Sequence, residues 1–98
     1  HVLNYPNPFS SRTSFQFEHN YANATLEVQV NIKTITGRLI KTINQSIYTT
    51  GNRVDNIFWD AKDDYGEKVA RGIYVYELKV RSSNGDFVAK KTEKLLIL

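Results

Sequence analysis

The sequence predicts an all-β fold, a sandwich of short antiparallel strands, on three observations. Twelve aromatics, eight Val, eight Ile and eight Thr supply the side chains that suit strands. Five Gly, at 37, 51, 66, 72 and 85, and two Pro, at 6 and 8, cut the chain into segments of strand length. Within those segments apolar residues alternate with polar ones, and no segment sustains a helical period.

Taken in order, Asn4-Tyr5-Pro6-Asn7-Pro8-Phe9 reads as an extended edge or lead-in with Phe9 tucked into the core. Each Pro there removes a backbone donor and holds its predecessor extended. Thr13 to His19 alternates, with Phe15 and Phe17 on one face and Ser14, Gln16 and Glu18 on the other. His19-Asn20-Tyr21-Ala22-Asn23 is a loop. Leu26 to Ile32 gives the cleanest period of two, with Leu26, Val28, Val30 and Ile32 inward. Thr36-Gly37 turns the chain into Leu39 to Ile47, where Leu39, Ile40, Ile43 and Ile47 do not share one parity. A β-bulge resolves that, since one extra residue reverses the facing of everything beyond it.

Thr50-Gly51-Asn52 turns again, and Val54 to Trp59 follows with Ile57 and Trp59 inward. Asp60 to Gly66 is an Asp-rich loop, and Lys68-Val69 is at most a short strand. After Gly72, Tyr74, Tyr76, Leu78 and Val80 line one face of a strand that ends near Arg81. Asn84-Gly85 is a hairpin signal, because both central residues of a type I′ turn need positive φ. Phe87 to Leu98 closes the chain. These elements number about seven, the size and pattern of an immunoglobulin-like antiparallel β-sandwich, with Trp59 as its large packing residue.

With 98 residues the expectation is a single domain, 1–98. Folding buries only about 60–65% of the surface of a chain this size. The absence of Cys excludes disulfides, Cys-ligated zinc and a cysteine nucleophile within these residues, so the core must carry the fold. The start at His1 rather than Met suggests a domain excised from a longer protein or a mature product. No stretch reads as a signal peptide or as an apolar run near 18 residues. The net charge of +3 is spread along the chain with no basic tail, which argues against nucleic acid as the partner.

Asp60, Asp63, Asp64 and Glu67 crowd into eight residues and could hold a hard cation such as calcium. Their spacing is not that of an EF-hand, and an Asx-capped loop explains them more simply. No cofactor is expected. A serine triad has only His1 and His19 to draw on and lacks a nucleophile elbow, so no enzyme is expected within the chain. Asn23-Ala24-Thr25 and Asn44-Gln45-Ser46 match the glycosylation triplet but read as ordinary loop and strand residues. Trp59, Tyr74, Tyr76 and the Phe residues could stack on bases or sugars, yet their alternation assigns them to the core. The least ordinary feature is Leu95-Leu96-Ile97-Leu98, an apolar chain end that must be buried or offered to a partner's sheet edge.

Five motifs in order complete the reading. They are Asn4-Tyr5-Pro6-Asn7-Pro8-Phe9, Thr36-Gly37-Arg38-Leu39, Trp59-Asp60 with Asp63-Asp64-x-Gly66, Arg71-Gly72-Ile73-Tyr74-Val75-Tyr76, and Lys94-Leu95-Leu96-Ile97-Leu98. Together they resemble, over the whole chain, the C-terminal sorting domain of proteins exported by the Bacteroidota type IX secretion system. Phe17-Glu18-His19-Asn20 and the Trp59 to Gly66 stretch look most like that domain in the PorU sortases, gingipain-like cysteine peptidases of the cell surface.

The resemblance implies an immunoglobulin-like export address that passes through the periplasm and the outer-membrane translocon and engages the shuttle protein PorV. It would end at the outer-membrane surface or be secreted, peripheral to the membrane without spanning it. In a sortase the domain would be retained, with the catalytic His and Cys upstream. The family's recognition strand maps to Lys90, Lys91, Lys94, Leu95, Leu96, Ile97 and Leu98. The motif positions are Asn7, Pro8, Phe9, Gly37, Arg38, Trp59, Asp60, Gly66, Gly72 and Tyr74. Exchange of the terminal strand between two copies would make a homodimer. The rival class is a carbohydrate-binding or spacer sandwich such as a flagellar-hook-cap module, which shares the Trp-Asp…Gly-x-Tyr pattern.

Overall fold

The computed structural model describes residues 2–21, 23–83 and 87–98, and these form seven strands. They are β1 (Val2–Tyr5), β2 (Thr13–Glu18), β3 (Ala24–Thr34), β4 (Leu39–Thr49), β5 (Arg53–Trp59), β6 (Gly72–Ser82) and β7 (Phe87–Ile97). One sheet has the order β1-β2-β5 and the other β4-β3-β6-β7, with every neighbouring pair antiparallel. The all-β, immunoglobulin-like sandwich expected from the sequence is the fold observed. The Asn84-Gly85 turn expected between β6 and β7 lies outside the described residues.

The period of two sets the core. Leu26, Val28, Val30 and Ile32 on β3 meet Tyr74, Tyr76, Leu78 and Val80 on β6, and across the sandwich they face Phe15, Phe17, Val54, Ile57 and Trp59. Phe15 packs edge-on against Tyr76 with ring centroids 4.8 Å apart, and Phe9 does so against Trp59 at 5.9 Å.

The parity conflict in β4 is resolved by a bulge. Ile32 pairs with Lys41 and Lys33 with Leu39, which leaves Ile40 as the extra residue. Ile40, in the bulge, packs against the core, as do Ile43 and Ile47 beyond it. A second bulge, in β5, accounts for Val54 and Ile57 both facing inward: Phe17 pairs with Val54 and Phe15 with Ile57. Ser14 points outward, as expected, yet is buried, and its hydroxyl donates to the Asp55 carbonyl at 2.6 Å beside that bulge.

The outer face of the larger sheet is a polar ladder. Gln29 donates to Asn44, Asn31 to Gln29, Thr42 to Asn31 and Ser46 to Glu27. Glu77 sits between Lys79 at 3.4 Å and Lys90 at 3.7 Å. Slight burial pushes its carboxyl up, and those two cations outweigh it and hold it below the usual range.

Candidate docking surface at one pole of the sandwich

The molecule measures 38 × 22 × 21 Å, and an 11-residue strand spans about 37 Å, so the strands run along the long axis. Strand direction then decides which segments meet. β1, β3, β5 and β7 end at the same pole, and β2, β4 and β6 begin there. The Pro6–Arg12 segment, the 35–38 turn, the 60–71 loop and Leu98 therefore converge.

The Pro6–Arg12 segment acts as a clamp. Asn4 is buried, and its amide donates to the Thr13 hydroxyl at 3.1 Å, which itself donates to the Pro6 carbonyl at 2.8 Å. Asn7 donates to the Asn4 side-chain oxygen at 3.1 Å and to the Lys94 carbonyl at 3.3 Å, and accepts the Leu96 N–H at 3.0 Å. The Phe9 N–H donates to the Leu96 carbonyl at 3.0 Å, and the Leu98 N–H to the Phe9 carbonyl at 2.8 Å. The edge of β7 is thus sealed along its last turn of backbone, with Phe9 as a parallel partner of Ile97. Both X–Pro bonds of the segment are cis.

The two crossovers beside the clamp are shaped by short polar side chains. At the β3–β4 turn the Gly37 N–H donates to the Thr34 carbonyl, and φ of +96° at Gly37 is a conformation glycine adopts without strain. In the 60–71 loop Trp59 is buried and its indole N–H donates to the Lys62 carbonyl at 2.9 Å. Asp60 accepts the Lys62 N–H, and Asp63 accepts the N–H groups of Tyr65 and Glu67 at 2.9 Å each. Asp64 accepts the Thr42 N–H and pairs with Lys41 at 3.6 Å. Asp60, Asp63 and Asp64 are therefore spent on amides and a lysine rather than converged on a cation, and no cluster with metal-binding geometry occurs among the described residues. Gly66 turns the loop at φ +83°, and the buried Tyr74 donates its hydroxyl to the Ala70 carbonyl at 2.6 Å.

The motif positions Asn7, Pro8, Phe9, Gly37, Arg38, Trp59, Asp60, Gly66, Gly72 and Tyr74 all fall at this pole. The recognition strand is only partly brought there. Leu95 and Ile97 point into the core, Leu96 is half-buried, and Lys94 and Leu98 are exposed at the pole. Lys90 and Lys91 lie opposite Lys79 and Leu78, far along the strand. The apolar chain end is thus divided between the core and the surface.

Around the clamp the pole is apolar and basic. Tyr5, Ile35, Leu39, Phe58, Tyr65, Ile73 and Leu98 are exposed there, Tyr65 at 91%, and only Tyr48 of the exposed large apolar side chains among the described residues lies toward the other pole. Leu39 and Tyr65 flank a groove of about 280 Å³ with Arg38 on its wall and Ile40, Val69 and Tyr74 along it. Eight cations, Arg12, Lys33, Arg38, Lys41, Lys62, Lys68, Arg71 and Lys94, lie in or beside these segments against Asp60, Asp63, Asp64 and Glu67. Apolar side chains exposed at strand ends and on the connections between them, within a basic surround, make an end of the molecule suited to docking. The convergence was hidden from the sequence, because it depends on strand direction. The signal that could have shown it is that the motifs occupy every second connection.

An antiparallel seven-stranded sandwich with this end structure defines a class. Residues 4–86 match the FlgD Ig-like domain family model, and the chain belongs to that family. The matched stretch stops just before β7. The chain is similar to dimeric latent PorU from Porphyromonas gingivalis, at 30% identity and a TM-score of 0.82 over 99% of its own length. It covers 9% of that protein's chain, so it corresponds to a small part of it. No curated protein matches the sequence.

Proposed function

We propose that this domain is a non-catalytic address and docking module, the C-terminal sorting domain of a protein exported by a type IX secretion system. In this reading it is the retained domain of a PorU-type sortase. It carries its enzyme through the periplasm and outer-membrane translocon and then holds it at the surface against the shuttle protein PorV. The observation that carries the proposal is the pole. Three separate connections and the chain end bring the motif positions to one end of the sandwich, and the exposed apolar side chains and the exposed end of β7 surround them there. The likeness to PorU over nearly the whole chain supports the same reading.

A carbohydrate-binding module has less in its favour. Trp59, Tyr74 and Tyr76 are buried, and the exposed Phe58 ring is covered by the Arg12 guanidinium at 4.0 Å.

The test is export of a reporter fused to this domain. Deleting Lys94 to Leu98 would remove Leu95 and Ile97 from the core and confuse unfolding with loss of the address. The exposed Leu98 and Ile73 avoid that. Leu98→Asp with Ile73→Asp is expected to leave the fold intact and strand the reporter in the periplasm. Normal surface delivery by the folded double variant would refute the proposal.

A further inference from the structure

A β-sandwich of this topology has four sheet edges, and an open edge templates pairing unless something guards it. Three are guarded. β1 is four residues long and runs into Pro6 and Pro8. β5 is broken by its bulge at Asp55 and Asn56. β7 carries Lys90, Lys91, Glu93 and Lys94, with Lys91 and Glu93 on the core-facing side yet exposed, and its end is sealed by Asn7 and Phe9.

β4 differs. Its start is covered: the Asp64 N–H donates to the Ile40 carbonyl and the Asp64 side chain takes the Thr42 N–H. From Thr42 to Thr49 it then runs Thr-Ile-Asn-Gln-Ser-Ile-Tyr-Thr, with no charge, no Pro and no Gly. The Thr42 bond also fixes which backbone groups face outward. Backbone direction alternates along a strand, so Asn44, Ser46 and Tyr48 direct their N–H and C=O groups to the open edge.

We propose that this edge pairs with the same edge of a second copy of the chain, antiparallel about a two-fold axis through Gln45. That register sets Asn44 against Ser46 of the second copy and Thr42 against Tyr48 on the outer face, with Ile43 against Ile47 on the inner face. Every pair is chemically compatible, no like charges are opposed, and both sheets keep their inner and outer sides. Asn44 and Ser46 become hydrogen-bonded pairs in this register, so four backbone bonds form across the axis. Tyr48 adds one to each Thr42 carbonyl. The polar ladder of Gln29, Asn44, Glu27 and Ser46 then continues across an eight-stranded sheet. The segment reads nearly the same in both directions, and that self-complementarity favours a second copy over a foreign strand.

The measurement is the mass of the 98-residue chain by sedimentation equilibrium over a range of concentrations. A shift with concentration from 11.3 kDa toward twice that value is expected. Gln45→Lys places two ammonium groups on the axis and is expected to return the chain to the monomer while its circular dichroism stays unchanged. Gln45→Cys is expected to cross-link to itself under mild oxidation, since residues in a non-hydrogen-bonded pair lie about 4.5 Å apart between Cα atoms. A chain that stays monomeric would leave β4 to a strand of another protein and overturn the proposal. So would a dimer that survives Gln45→Lys, as exchange of β7 would produce, or a dimer whose Gln45→Cys form does not cross-link.

Discussion

Replacing Asn7 with Ala should release the end of β7 and leave the buried Asn4 side-chain oxygen without the bond Asn7 donates to it at 3.1 Å. Asn7 is exposed, and its side chain makes two bonds to β7 backbone: it accepts the Leu96 N–H at 3.0 Å and donates to the Lys94 carbonyl at 3.3 Å. The first has good geometry and the second is long. A net hydrogen bond is worth about 0.5–1.5 kcal/mol, and exposure keeps both near the lower end. Their loss, together with that of the bond to Asn4, should cost about 1.5–2 kcal/mol, which lowers Tm by roughly 6–16 °C for a domain of this size. The local effect is sharper than the global one. Leu96 directs its N–H to Asn7, whereas Leu95 and Ile97 face β6. Amide hydrogen exchange should therefore show loss of protection at Leu96 with Leu95 and Ile97 retained. The Leu98 N–H, held by the Phe9 carbonyl, should change little. Unchanged exchange at Leu96 would refute the clamp.

Four further outcomes are expected. Phe9→Ala removes a buried ring packed on Trp59 and should cost about 3–5 kcal/mol, read as a large fall in the denaturant midpoint. Tyr76→Phe should be neutral or slightly stabilising by thermal melting, because the buried Tyr76 hydroxyl has no partner among the described residues. Burial and then the charge of Glu93 push that hydroxyl well above the usual tyrosine range, so it stays neutral at any working pH. Asp63→Ala frees the Tyr65 and Glu67 amides and should cost about 1–2 kcal/mol, with Asp63→Asn recovering part of it. Burial lowers the His19 imidazole below its ordinary value of 6.5, and its Nδ1 accepts the Tyr21 N–H. The unfolded chain binds the proton more readily, so the contribution of His19 is full above pH 6.5 and declines as pH falls through the window beneath it. His19→Asn should flatten that slope in Tm against pH.

Alternation made the central strands legible. The faces of Leu26 to Ile32 and Tyr74 to Val80 follow from the period of two, and the parity break at Ile40 announced its bulge. The second bulge left only a faint mark, since Val54 and Ile57 differ in parity but a single apolar residue weighs little. The Asp loop was readable as self-capping because Asx turns are local. What escaped was non-local. Asn7 reaching Lys94 and Leu96 requires two ends of the chain to be adjacent, and no period encodes that. The same holds for the pole, where residues as distant as Ile35, Tyr65 and Leu98 meet only because of strand order. Leu95 to Leu98 looked uniform in sequence, and the strand geometry divides it into buried Leu95 and Ile97 and exposed Leu98.

The central claim is that the apolar and basic pole is the docking surface. Its most direct test is binding of the purified domain to the isolated shuttle protein, by calorimetry, with one variant at each pole. Leu98→Asp should weaken binding at least tenfold, while Tyr48→Asp, toward the opposite pole, should leave it unchanged. Equal affinity for the wild-type chain and both folded variants would contradict the claim.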